Sequence, residues 1–377
     1  MLSAPAAEGV PTLGVFDAIG SSGHEEVLFG SDPVSGLKTI IAIHSTALGP
    51  ALGGTRFYAY QDEEAALGDV LRLSEAMSYK AAAAGLDLGG GKAVIIGDPS
   101  EDKSERLLRA YGRAVDSLGG RYITAEDVGT TTADMMTIRR ETAWVTGIPE
   151  AHGGSGDPSP ATARGVIAAM HTVAERVWGS EDLSGRTVAV QGVGKVGSSL
   201  VERLTKAGAA TMVADVNPAA TAAMRERYGS QVVPLDEFYD LPIDVLAPCA
   251  LGGVLNPGTI NRLQCRAVVG SANNQLQTAA DADLLMERDI VYAPDFVVNA
   301  GGIINISEEL RGYSWERAAI AVDAIGTNLV RVFDRAEAEK INPHLAAVAV
   351  ARDRITNIGT LGINRGSRSI GNQKVGT

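Results

Sequence analysis

From about residue 161 to 325 helical stretches alternate with short apolar runs, and no other feature limits the possible folds as much. TARGVIAAMHTVAERVW leads to TVAVQG, then KVGSSLVERLTKAG, then TMVADV, and later runs are DVLAPCA, AVVGSANN and IVYAPDF. This pattern predicts an α/β fold: a parallel sheet with helices on its faces. Residues 1 to about 150 read differently. They mix strand signals (LKTIIAIHST, KAVIIG, RYITAED) with a helical stretch, EEAALGDVLRLSEAMSYKAAAAG, in which Ala66, Val70, Leu73 and Met77 recur on one face. Between the regions, HGGSGDPSP at 152–160 is dense in turn formers and reads as a linker. The chain has 377 residues, too many for one compact core and enough for two domains.

Composition removes several function classes. The formal net charge of -12 argues against binding nucleic acid or an anionic membrane through bulk charge. Two cysteines, Cys249 and Cys265, make no disulfide framework and suit a reducing compartment. No zinc-type Cys/His spacing occurs, so no metal is expected. The N-terminal stretch MLSAPAAEGVPTLG lacks a basic start and an apolar block, and no run of about 18 apolar residues exists. The expectation is a cytoplasmic protein.

QGVGKVGSSL places Gly192, Gly194 and Gly197 in G-x-G-x-x-G spacing. Glycine makes up 44 of the 377 residues, so the spacing alone is weak. Its context is stronger: a strand signal precedes it and a helical stretch follows. Glycines there let the backbone approach a pyrophosphate at a helix N-terminus. Asp215, after TMVA, sits where an acid would accept the adenosine ribose hydroxyls and repel the extra phosphate of NADP, so NAD is the expected cofactor. A tight turn that binds nothing is the bland alternative.

DLGGGKAVIIGDP raises another question. It is not a phosphate loop, because Leu86 and Ala93 stand where that motif needs Gly and Ser or Thr. If the later region holds a nicotinamide, the earlier one should hold the substrate. Two lysines, Lys80 and Lys92, suit an amino acid or oxo acid: one anchors a carboxylate and the other, desolvated, serves as acid or base. Asp127 in YITAEDVGT could take a proton from a substrate ammonium. On their own such residues are as readily a solvated lysine or a capping aspartate.

Together LGPALGGTRF, MSYKAAAAGLDLGGGKAVIIGDP, YITAEDVGT, GVGKVG, ANNQL and YAPDFVVNAGG resemble the amino acid dehydrogenases of the glutamate/leucine/phenylalanine/valine superfamily, over roughly residues 25 to 320. The resemblance implies two domains with the active site in the cleft between them. Residues 1–150, joined by C-terminal helices from about 326–362, would bind substrate and oligomerise. Residues 151–325 would form the Rossmann-type NAD-binding domain, and 363–377 a mobile tail. It further implies that Lys80 binds the substrate carboxylate, with Gly53 and Gly54 nearby. Lys92 would activate the water that attacks the imine, and Asp127 would exchange a proton with the substrate nitrogen. Thr162 and Asn274 would contact the nicotinamide portion. Gly192, Val193, Gly194, Lys195, Val196, Gly197, Asp215, Ala272, Asn273 and Asn299 would complete the cofactor site. A homo-oligomer is implied.

The side-chain pocket implied in the same way is Leu52, Ala125, Ile303 and Ile306. Glutamate enzymes carry Lys and Ser at the positions of Leu52 and Ile306, and an aliphatic wall would leave a distal carboxylate unpaired. Leucine, valine or isoleucine is therefore the expected substrate, with phenylalanine the rival. A non-catalytic dinucleotide sensor is the remote alternative, and it would have lost Lys80, Lys92 or Asp127.

Overall fold

A computed structural model describes residues 14–361; the expected mobile tail and the first 13 residues lie outside the described residues. Contacts gather the chain into two compact units. The first holds the described residues up to Thr46, Pro50–Ser78 and Gly89–Trp144. The second holds Ala47–Gly49, Tyr79–Leu88 and the described residues from Val145.

The first unit is built on five strands: β1 (Glu26–Asp32), β2 (Leu37–Ser45), β3 (Ala51–Tyr58), β4 (Gly89–Ile96) and β5 (Tyr122–Glu126), in the order β1-β2-β4-β3-β5. β2 is antiparallel to both β1 and β4, while β3 runs parallel to both β4 and β5. Arg56 pairs with Val94, and Gly54 with Ala125. Partners in register share a face, as do residues two apart on one strand. One face therefore carries Leu52, Gly54 and Arg56 of β3, Gly90, Lys92 and Val94 of β4, and Ile123 and Ala125 of β5.

The helix Glu63–Ala83 covers the β2–β4 part of that face, with Ala66, Leu67, Val70 and Leu71 in one core with Ile40, Ala42 and Val94. The expected apolar stripe is corrected here. Ala66 and Val70 are buried, but Leu73 and Met77 are only half-buried, and Ser74 and Ser78 take the buried places. The cause is proximity: a Cβ on Gly90 would lie 2.1 Å from the Ser78 nitrogen and 2.6 Å from the Ser74 carbonyl oxygen. Only small side chains fit where a helix backbone rests on a strand. Two histidines satisfy the serines, His24 Nε2 at 2.7 Å from Ser74 Oγ and His44 Nδ1 at 2.8 Å from Ser78 Oγ. Burial and the neighbouring His44 push the His24 imidazole down to about 4, so it is neutral at physiological pH.

The second unit contains β6 (Thr187–Gln191), β7 (Ala210–Ala214), β8 (Gln231–Val232), β9 (Val245–Pro248), β10 (Ala267–Val268) and β11 (Val291–Tyr292). Their order is β11-β10-β9-β6-β7-β8 and every pair is parallel. This is the parallel α/β arrangement the alternation predicts. The chain winds outward from β6 to β8, returns, and winds the other way from β9 to β11. Such a reversal leaves a crevice beyond the carboxyl ends of β6 and β9.

Helix Trp315–Glu339 runs unbroken through position 326 and lies along helix Ser159–Trp178. Arg164 grips Asp323 across them with two 2.6 Å hydrogen bonds. The stretch 152–160 is a built loop and not a loose connection. The Glu309 carboxylate accepts hydrogen bonds from Gly147 N at 3.0 Å, Ser155 N at 2.8 Å and Ser155 Oγ at 2.6 Å. Burial raises the Glu309 carboxyl above its ordinary range despite those donors. No helix among the described residues is long and apolar enough to cross a membrane.

Candidate active site

Three neighbouring strands bring the first cluster together. Lys92 lies fourth in β4 and is 7% exposed. Asp127 follows β5, and Lys92 Nζ and Asp127 Oδ2 form an ion pair. The turn after β5 fixes the aspartate. The Thr130 hydroxyl accepts from Asp127 N–H at 2.9 Å and donates to the Thr55 carbonyl at 2.9 Å. Gly129 adopts φ 79°, and a Cβ there would lie 1.9 Å from the Phe57 carbonyl oxygen, so only glycine closes this turn. Gly54 leaves room for the result: its Cβ would lie 2.9 Å from Asp127 Cβ. Burial raises the Asp127 carboxyl, but Lys92, the Val128 N–H and then Arg56 outweigh it, and the carboxyl sits below its ordinary range.

Sequence reasoning missed the other half of this cluster. Arg56 Nε lies 3.5 Å from Asp127 Oδ2, and Arg56 Nη1 donates to Asp69 Oδ2 at 2.7 Å. Asp69 also accepts from the Tyr60 hydroxyl and from Arg72 Nη2, each at 2.7 Å. The available signal was an arginine inside the otherwise buried strand LGGTRF. The glycines before Lys92 serve packing. They belong to β4 itself, and the close approach they allow is by the protein's own chain. Gly90 meets the helix as described, and a Cβ on Gly91 would lie 2.7 Å from the Tyr122 ring.

In the second unit the three glycines of GVGKVG have three separate reasons. Gly192 turns at φ 91°, where a Cβ would meet Ala250 Cβ at 2.6 Å. Gly197 sits against the turn, its Cβ position 2.0 Å from the Gly192 carbonyl oxygen. A Cβ on Gly194 would have no protein atom within 4 Å. Packing requires the first and third; the second leaves open space at the start of helix Lys195–Lys206, which has no side-chain cap. That is the fit a pyrophosphate needs. Val193 is buried, Val196 is half-buried, and Lys195 is exposed and pairs with Asp157 at 3.4 Å. Asp215 follows β7 and accepts from Val193 N–H at 2.7 Å and Asn217 N–H at 2.8 Å, one bond per carboxylate oxygen. Each oxygen keeps a lone pair for a ribose hydroxyl. Two exposed apolar residues, Val216 beside Asp215 and Leu251 just past β9, follow strands that end on the same edge of the sheet.

The same unit joins three more of the expected residues. Asn273 Oδ1 accepts from Lys80 Nζ at 3.2 Å and from Asn299 Nδ2 at 2.8 Å. Asn299 Oδ1 is sealed from solvent with no hydrogen-bond donor. A buried lone acceptor beside Asn273 fits a ligand that brings an N–H. Asn274 adopts φ 52°, and Ala272 is buried. Thr162 Oγ1 donates to the Pro158 carbonyl at 3.0 Å, and a Cβ on Gly301 would lie 2.3 Å from the Ala161 carbonyl oxygen. The glycines of NAGG thus let two helix starts touch. Of the expected pocket, Leu52 and Ala125 are buried on the Lys92 face of the first sheet. Ile303 and Ile306 lie one turn apart on helix Gly301–Ser307.

Residues 24–144 match the family model described as Glu/Leu/Phe/Val dehydrogenase, dimerisation domain. Residues 153–220 and 215–359 match the one described as Glutamate/Leucine/Phenylalanine/Valine dehydrogenase. The leucine dehydrogenase of Geobacillus stearothermophilus is 51% identical over 332 residues, 88% of this chain and 90% of that protein. The valine dehydrogenase of Streptomyces virginiae is 49% identical over 338 residues, 89% of this chain and 94% of that protein. Among solved structures, the L-tryptophan dehydrogenase from Nostoc punctiforme is similar with a TM-score of 0.84 at 44% identity, over 91% of this chain and 99% of that one. The chain belongs to the Glutamate/Leucine/Phenylalanine/Valine dehydrogenase family and is an amino acid dehydrogenase.

Proposed function

We propose that this enzyme oxidatively deaminates short branched-chain L-amino acids with NAD, releasing the 2-oxo acid and ammonia, and catalyses the reverse reductive amination. The observation that carries the reading is the Lys92–Asp127 pair, set on the same sheet face as the apolar side chains of Leu52 and Ala125. The leucine and valine enzymes among the relatives support the substrate class. In this reading Lys80, Lys92 and Asp127 serve the amino acid, and the glycine turn of the second unit holds the dinucleotide. NAD, when bound, supplies a hydride acceptor at the nicotinamide. Gly194 and the helix start receive the pyrophosphate, Asp215 the ribose, and Val216 and Leu251 flank the adenine. The negative charge of Asp215 favours NAD over NADP. Thr162, Asn274 and Asn299 face the nicotinamide portion. We place the enzyme in the cytoplasm as a homo-oligomer assembled through the first unit.

Lys80 pairs with the substrate carboxylate. Asp127, ionised even below the ordinary carboxylate range, accepts one proton from the substrate ammonium. After hydride leaves Cα, Lys92 takes a proton from the water that adds to the imine carbon. Asp127 then returns its proton to the nitrogen, the hydroxyl proton leaves to solvent, and the C–N bond of the tetrahedral adduct breaks to give the oxo acid and ammonia. Asp127 is charged from acid pH upward, so the groups whose protons must depart are two amines, the substrate's and that of Lys92. Deamination therefore accelerates toward alkaline pH.

The test is a panel of leucine, valine, isoleucine and phenylalanine with NAD and with NADP, followed by absorbance of the reduced cofactor. Leucine or valine with NAD gives the highest kcat/KM. A phenylalanine preference, or turnover with NADP alone, overturns the reading. Gly194→Ala tests the dinucleotide turn. The added methyl meets no protein atom, so the melting temperature stays within about 2 °C while KM for NAD rises by about tenfold or more. An unchanged KM would remove the turn from the cofactor site.

A further inference from the structure

Lys92 and Arg56 converge on a single oxygen, Asp127 Oδ2. That arrangement addresses a difficulty in the reading above, on which this inference rests. As a base Lys92 has to be neutral, and the buried Asp127 carboxylate then lacks one of the two cations beside it. We propose that Arg56, anchored by Asp69, is a positioning residue that keeps Asp127 paired while Lys92 is neutral.

The geometry suits the task. Arg56 and Lys92 stand on adjacent strands and the same sheet face. Arg56 Nε is sealed from solvent and makes no hydrogen bond, so it faces Asp127 as a charge across 3.5 Å. The opposite edge of the guanidinium is held: Nη1 donates to Asp69 at 2.7 Å. Asp69 is itself fixed by Tyr60 after β3 and by Arg72 on its own helix, Glu63–Ala83. Burial opposes the charge on Arg56, but Asp127 and Asp69 outweigh it, so the guanidinium is the permanent cation of the cluster. The charged and titratable groups of the cluster are thus Lys92, Asp127, Arg56, Asp69, Tyr60 and Arg72. When Lys92 gives up its proton, the carboxylate keeps Arg56. The substrate ammonium can then approach an aspartate already aimed and charged.

The test is the pH profile of deamination in Arg56→Gln, Arg56→Lys and Asp69→Asn. Without the cation at position 56, Lys92 releases its proton less readily. The acid limb of kcat/KM moves to higher pH by about one unit in Arg56→Gln. At neutral pH that is about a tenfold loss, most of which returns at the alkaline plateau. Arg56→Lys restores the charge and returns the limb most of the way. Asp69→Asn leaves the arginine but frees it, and moves the limb part of the way. A purely structural Arg56 would depress the plateau and leave the limb in place, and that result overturns the proposal. Should Arg56→Gln not fold, Asp69→Asn decides by the same limb. If Lys92→Ala keeps its turnover, the functional reading itself has failed. If Lys92→Ala is inactive while the limb of the position 56 and 69 variants does not move, only this inference has failed.

Discussion

Lys92→Ala lowers kcat for deamination by about 10³-fold, within the range expected for loss of a positioned general base. KM for NAD changes little, because the glycine turn of the second unit is untouched. The alanine variant also removes one side of the ion pair with Asp127, so some of the loss could reflect a displaced aspartate. Lys92→Arg separates the two causes. A guanidinium keeps the positive charge beside Asp127 and preserves the pair, yet it does not deprotonate in proteins. The arginine variant is therefore folded and binds cofactor but is nearly as inactive as the alanine variant. Steady-state kinetics from pH 7 to 10 check both. Near-normal turnover in either variant removes Lys92 from the chemistry.

Gly53→Ala abolishes the fold of the first unit or lowers its stability by more than about 4 kcal/mol, the range of severe core disruptions. A Cβ at position 53 would lie 1.7 Å from the Gly91 carbonyl oxygen, which is backbone of the adjacent strand and cannot rotate away. The Gly53 carbonyl is also occupied, since it accepts from the Tyr122 hydroxyl at 2.7 Å. Relief would require β3 and β4 to separate at the middle of the sheet, next to Lys92. Soluble yield and a denaturant or thermal unfolding curve give the answer. A variant that melts like the parent would show that the two strands are not held this closely.

The second unit was largely legible in the sequence, because helices alternating with strands leave a parallel sheet few options. Its least visible strand is β8, two residues long; β10 and β11 are as short but lie in the apolar runs AVVGSANN and IVYAPDF. The first unit was harder to read. The apolar runs mark β2, β4 and β5, but β1 and β3 escape notice because EVLFGSD is half-exposed and ALGGTRFY is broken by glycines. The order β1-β2-β4-β3-β5 depends on pairings between distant segments, which local pattern does not encode. Lys92 and Asp127 were found because their motifs resemble a known family. Arg56 was not, because an arginine in a strand reads as a surface charge until Asp69, thirteen residues away on a helix, is seen beside it. The helix stripe was misjudged for a similar reason: Ser74 and Ser78 are buried only because Gly90 is a glycine.

The crowded glycines on this sheet also bear on enzyme engineering. Positions 53, 90 and 91 touch backbone or aromatic rings at distances no side chain tolerates, and 54 abuts the turn that holds Asp127. A mutant library aimed at bulkier or smaller amino acids has little to gain there. On the proposed function Leu52 and Ala125 are the positions to vary, since each shares the sheet face of Lys92 without carrying the sheet's closest contacts. Retuned catalysts from this scaffold should accumulate changes at 52 and 125 while the glycines stay invariant.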